Sequence, residues 1–147
     1  MQYQPGFAFG TSALRDAANG EAFREDVKRQ FDIEIRLITG EKEAEYIYKG
    51  VSQTVQHIRE KFLILDIGGG SNEFIIADQQ QYYWKESFKL GMARLTEKFT
   101  PSDPVTPELI DTLEAYFEKE LYPLFRALEE YPVKILVGAS GSFDFAD

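Results

Sequence analysis

The 147-residue sequence contains no cysteine, a single histidine, one tryptophan and two methionines. Without cysteine there are no disulfides and no thiolate metal sites, a composition compatible with a reducing cytosol. The lone histidine, His57, lies beside Arg59 and Glu60 near a helix end and reads as a surface residue, so a Ser-His-Asp triad has little support. Positive charge is scarce: 16 Lys and Arg stand against 25 Asp and Glu, a formal net charge of −9. A broad basic face for nucleic acid or anionic lipid is thereby disfavoured, and an anionic ligand must be caught by a local device. No apolar run approaches the roughly 18 residues of a membrane span. The opening "MQYQPGFAFG" lacks the basic and apolar regions of a signal peptide, which points to the cytoplasm. Low-complexity segments and solenoid repeats are also missing.

What remains is a regular alternation of strand and helix signals. "GFAFG" (6–10) reads as a strand entering a helix at "TSALRDAANG", with Thr11 or Ser12 placed to accept an orphan N–H. Phe23, Val27 and Phe31 form the stripe of a second helix. "IEIRLI" (33–38) alternates as a strand does. Ala44, Ile47, Tyr48, Val51, Val55 and Ile58 share one face of a third helix. "KFLILDIGGG" is apolar on both sides and belongs in the middle of a covered sheet. "NEFIIA" and "YYWKESF" flank "DQQQ" as a hairpin, whose aromatic residues Tyr82, Tyr83, Trp84 and Phe88 read as core and edge cover. After a short helix at 90–99, Thr106 and Pro107 open a long one that Pro123 should kink or split. "VKILVGASGS" ends the chain with a second strand-to-glycine corner. This order gives an α/β fold, a mixed sheet covered by helices.

The most informative stretch is "FLILDIGGGSNEF" (62–74). Three glycines after a buried strand leave backbone N–H groups unshielded, and such a concavity can bind phosphate oxygens. No Gly-Lys-Ser/Thr follows, and a strand rather than a helix comes next, so it is neither a P-loop nor a dinucleotide fingerprint. Asp66 and Glu73 flank the loop. Two acids beside a phosphate site repel the ligand unless one holds a divalent cation or they position and deprotonate a water, a combination suited to phosphoryl hydrolysis. The loop alone leaves a second reading open, a tight strand connection with Asp66 bonding the turn. Glu43 can likewise be a dipole-stabilising acid or the capping-box partner of the Gly40 amide, and Arg15 an ion-pair partner or a phosphate ligand.

Together, "TSALRDAANG" (11–20), "ITGEKEAEYIYKGV" (38–51), "LDIGGGSNEFII" (65–76), "LGMARLTEKF" (90–99) and "VGASGSFD" (138–144) resemble the exopolyphosphatase/guanosine pentaphosphate phosphatase (Ppx/GppA) family of the actin–Hsp70–sugar kinase superfamily. The resemblance implies a ribonuclease H-like (actin-like ATPase) fold with helices on both faces of a mixed sheet, here incomplete. It implies that residues 1–40 end a first lobe, and that 41–147 carry the hinge helix and the beginning of a second. Glu43 takes the general-base role. Asp66 and Glu73 help place the water and a Mg²⁺. Gly68, Gly69, Gly70 and Ser71 form a phosphate loop faced by Arg15. Asn72 stands where the family usually has Thr, which suggests tuning rather than loss.

The family's N-terminal Asp-x-Gly-Ser/Thr-Asn loop has no counterpart before Gly6, so these residues are expected to hold half a cleft and to turn over little substrate alone. The implied reaction of the parent protein is hydrolysis of a terminal phosphoanhydride of polyphosphate or guanosine pentaphosphate. Two rivals remain: an ATP-using enzyme of the same fold, and a non-catalytic module that binds polyphosphate or an alarmone. The bare edges of such a sheet also leave a homodimer open.

Overall fold

The computed structural model describes residues 7–141. Gly6 of the first expected strand and residues 142–144 of the last glycine corner lie outside them. The elements run β1 (Phe7–Gly10), α1 (Ser12–Asp16), α2 (Gly20–Phe31), β2 (Glu34–Leu37), α3 (Gly40–Thr54), β3 (Phe62–Ile67), β4 (Asn72–Ala77), β5 (Tyr82–Phe88), α4 (Met92–Phe99), α5 (Pro107–Glu120), α6 (Tyr122–Glu130) and β6 (Ile135–Gly138). The expected order is reproduced, and Pro123 splits the long helix into α5 and α6. A proline at the second position of α6 sits where its missing N–H has no helical acceptor to leave empty.

Strands β1 and β2 pair in parallel as a separate two-stranded sheet, and the other four are ordered β5-β4-β3-β6. β3 is central: antiparallel to β4 on one side, parallel to β6 on the other. Alternation along β3 sends its apolar residues to both faces. Phe62 and Ile64 meet Ile75 and Ala77 on one face, where Ala44, Ile47, Tyr48 and Val51 of α3 cover them, joined by Val55 and Ile58, which lie past the end of the helix at Thr54 rather than on it as expected. Leu63 and Leu65 join Phe74, Phe88 and Trp84 on the other, under Leu95 of α4, Tyr116 and Phe117 of α5, and Leu124 and Leu128 of α6. Phe62, Ile64 and Ile75 are fully buried; each such side chain is worth about 1.5–3 kcal/mol. The expected mixed sheet with helices on both faces is thus present.

Two local expectations need correction. Thr11 precedes α1, but no side chain caps that helix. The stripe of α2 is not buried, since Phe23 is 51% and Phe31 64% exposed. Helical spacing fixes which residues share a face; whether anything covers that face is a tertiary matter.

One contact ties the fold to the site. A Cβ on Gly40 would lie 2.4 Å from Ser87 Cβ and 2.5 Å from its Oγ, so glycine lets the first turn of α3 close onto β5. Gly40→Ala is expected to destabilise the protein by about 1–3 kcal/mol, read as a lower urea midpoint with an unchanged m-value.

Candidate phosphate-binding site

Strand register builds the acidic part of the site. In the antiparallel ladder Asp66 pairs with Glu73, and Glu73 with Ser87 of β5. The three side chains form a row across the face that α3 covers, just beyond the last apolar pair, Ile64 and Ile75. Ser87 Oγ donates to Glu73 Oε1 at 2.7 Å. Glu73 is only 2% exposed.

Glu43 reaches the same place from the first turns of α3. Thr39 is the N-cap, its Oγ1 accepting the Lys42 N–H at 3.2 Å. That cap makes Lys42 the third helical residue and Glu43 the fourth, so Glu43 is one step past the capping-box position and its side chain is left for the cleft. Glu43 Oε2 is buried without a hydrogen-bond partner; Arg15 Nη1 lies 3.9 Å from it. Arg15 also donates to the carbonyl of Ile38 at the end of β2, which fixes the guanidinium beside the start of α3.

The glycine loop closes the other wall. The Gly68 N–H donates to Ser71 O at 3.0 Å, making the turn. No described glycine has a positive φ, so glycine is required here by proximity rather than by left-handed backbone. A Cβ would lie 2.7 Å from Ser71 O at Gly68, and 2.7 Å from Ser12 Oγ at Gly70. At Gly91, which starts α4, it would lie 2.4 Å from the Gly69 backbone. At Gly69 itself a Cβ would meet nothing. The loop is therefore wedged between α1 and α4 with its tip open.

These groups surround a cavity of about 450 Å³. Its walls include Glu43, Asp66, Glu73 and the loop Gly68, Gly69, Gly70 and Ser71. Arg15 is adjacent through Glu43. His57 is elsewhere and exposed. The cavity also takes in Ser12 and Asp16 of α1, and Arg94 and Glu97 of α4, to which the sequence reading assigned no part. Arg94 lies within the "LGMARLTEKF" segment, yet its partners are Gly70, Ser12 and Asp16. They are distant in sequence, and neither helical nor strand spacing marks them.

The electrostatics follow from burial. Desolvation pushes the Glu43 carboxyl above its usual range and the neighbouring Glu73 charge adds to this, against the Thr11 hydroxyl and Arg15. Burial raises Asp66, opposed by the Ser140 hydroxyl. Glu73 is raised by burial too, opposed by Ser87 and Ser71. Three acids held this way favour a proton, a cation or a polarised water among them.

Comparison with known proteins identifies the family. Residues 7–146 match the profile of the Ppx/GppA phosphatase family. The chain belongs to that family. It is 32% identical over 133 residues to the guanosine-5'-triphosphate,3'-diphosphate pyrophosphatase of Vibrio campbellii, covering 90% of this chain and 27% of that protein. It is 31% identical over 137 residues to exopolyphosphatase 1 of Mycobacterium tuberculosis, covering 92% and 40%. The crystal structure of an exopolyphosphatase from Cytophaga hutchinsonii superposes with a TM-score of 0.91 at 38% identity, covering 94% of this chain and 44% of that one. The chain thus spans less than half the length of each of these Ppx/GppA relatives.

The cluster makes a pH prediction. An acid whose folded pKa is raised is held most favourably when protonated, so its contribution to stability falls as pH rises from the ordinary carboxylate range through the folded value. Glu43→Gln removes one of the three charges. It is expected to raise the melting temperature at pH 7.5 by roughly 2–4 °C, the size of about 1 kcal/mol in a chain of this length. The gain shrinks toward zero as the pH is lowered to about 4, where the wild-type carboxyl is itself protonated.

Proposed function

We propose that a family-length protein carrying these residues hydrolyses the terminal phosphoanhydride of inorganic polyphosphate or guanosine pentaphosphate. The observation that carries this reading is the buried Glu43 Oε2, which accepts no hydrogen bond, in a cavity that the glycine loop also lines. A carboxylate oxygen with no protein donor is an acceptor reserved for a ligand or a water.

In this reading the terminal phosphate lies against the loop Gly68, Gly69, Gly70 and Ser71, whose amides meet its oxygens while Arg15 supplies charge. Glu43 takes a proton from a water as that water attacks the terminal phosphorus. The bridging P–O bond breaks, and orthophosphate leaves together with the shortened chain. A carboxyl raised by burial is a stronger base than a free one, and proton transfer by a positioned group contributes typically 10²–10⁴-fold.

The residues also fit a Mg²⁺. This ion is usually held by one or two protein carboxylates, with water and substrate phosphate completing its octahedron. Asp66 and Glu73, opposite each other and both raised by burial, supply two such carboxylates. No group of three or more His, Cys, Asp or Glu poised for a metal occurs among the described residues, so water and substrate phosphate would have to supply the other ligands. When bound, the ion supplies neutralisation of the phosphate charge that the acids oppose.

Among the described residues no helix is long and apolar enough to cross a membrane. We infer a cytoplasmic protein from this together with the lack of cysteine.

In the family-length protein, Glu43→Gln is expected to lower kcat for phosphate release by at least about 10²-fold while substrate still binds. Chelation of Mg²⁺ is expected to stop release. Undiminished turnover by the glutamine variant would remove Glu43 from the reaction. Release from ATP but not from polyphosphate or guanosine pentaphosphate would favour an ATP-using enzyme instead.

A further inference from the structure

The carbonyls of the three loop glycines are all taken by one helix. Gly68 O accepts the Met92 N–H and Gly69 O the Ala93 N–H, each at 3.0 Å. Gly70 O accepts Arg94 Nε at 2.7 Å. In a planar trans peptide the C=O and the following N–H point in opposite directions. Capture of three consecutive carbonyls by the first turn of α4 therefore turns the N–H groups of Gly69, Gly70 and Ser71 away from that helix. Among the described residues none of these three amides donates a hydrogen bond.

The first two captures are backbone bonds that many sequences could make. The third depends on a side chain. Arg94 Nη2 continues beyond the loop to Ser12 Oγ at 3.4 Å and to the Asp16 carboxylate, so one planar guanidinium joins α1, the loop and α4. Its side chain is about one-third exposed, 35%, at the cavity wall. Lysine, with a single nitrogen, cannot span the same three acceptors in a fixed plane.

We propose that Arg94 is the positioning residue of the loop: it fixes the Gly70–Ser71 peptide so that the amides of residues 69–71 face an incoming oxyanion. Asp16 holds the guanidinium in that pose, and Arg94 acts on phosphate through the backbone it aims. This extends the phosphate-loop reading above and rests on it for the identity of the ligand, but not for the aim of the loop.

The test uses the ¹⁵N-labelled chain, with inorganic phosphate as probe. In the wild type, backbone order parameters of Gly69, Gly70 and Ser71 without ligand are those of ordered structure, and phosphate shifts these three amides. In Arg94→Ala the order parameters of 69–71 are expected to fall below about 0.6 while β3 and β4 stay rigid, with phosphate affinity weaker by about tenfold or more. Guanidinium ion, added at concentrations that leave the wild type unchanged, restores order to the alanine variant, and Arg94→Lys restores it only in part. Unchanged loop order in Arg94→Ala overturns the proposal. So does a loss of order that spreads through β3 and β4 in both variants, which would make Arg94 a general support. If phosphate leaves the wild-type amides unmoved, the phosphate-site reading fails on its own, and the ligand-free order parameters still decide the role of Arg94.

Discussion

The register of β3 against β4 is the constraint on which the site depends. Pairing Phe62 with Ala77 and Ile64 with Ile75 places Asp66 opposite Glu73, on the same face and at the end of the ladder. A slip of β4 by one residue would turn Glu73 away from Asp66, toward the opposite core that holds Leu90 and Leu124, and would take Ile75 and Ala77 out from under α3. Core packing therefore enforces the geometry of the acids. The same two faces that specify the sheet specify where charge is buried, and no separate device is needed to bring the carboxylates together.

Close approach rather than backbone freedom explains the glycines. Gly40, Gly70 and Gly91 each occupy a spot where a Cβ would strike a neighbour at less than 3 Å, and the neighbours belong to β5, α1 and the loop itself. Removing these three side chains lets α3, α1 and α4 converge on one cavity. Within the loop, Gly69 has open space where a Cβ would stand, so nothing among the described residues requires glycine there. An approaching ligand would use that space, and a side chain would shield the amides from it.

Much of this was legible in the sequence. The apolar run before "GGG" marked the central strand, the spacing of Ala44, Ile47, Tyr48 and Val51 marked the covered face of α3, and the acids on either side of the loop marked the cavity. Three features were not legible, each for a physical reason. The α2 stripe had the right period, but period does not say whether a partner exists. Local spacing alone left Glu43 open between a capping-box acid and a cleft residue, an ambiguity that only the family resemblance resolved, because the sequence does not say that the N-cap is Thr39 rather than Gly40. Arg94 looked like any arginine on a short helix. Its partners come together only when α1, the loop and α4 meet, and local periodicity carries no trace of an interaction between residues 24 to 82 positions apart.

The buried acids pose the remaining question of how an acidic protein can hold an anion. Coulomb repulsion between a phosphate and three carboxylates is severe at low effective dielectric. The arrangement meets it by separating the charges in space and by function. The acids occupy the sheet face under α3, with Ser87, Ser71 and Ser140 hydroxyls beside them. The loop amides belong to the turn itself, on a backbone held by α4. Arg15 stands next to the acid whose Oε2 lacks a partner, near enough to steer it without neutralising it, for the carboxyl remains raised despite the guanidinium. Were Arg15 and Glu43 a tight bidentate pair, both would be spent on each other. At 3.9 Å the pair is loose, and the carboxylate keeps a lone pair for a proton that arrives from outside the protein.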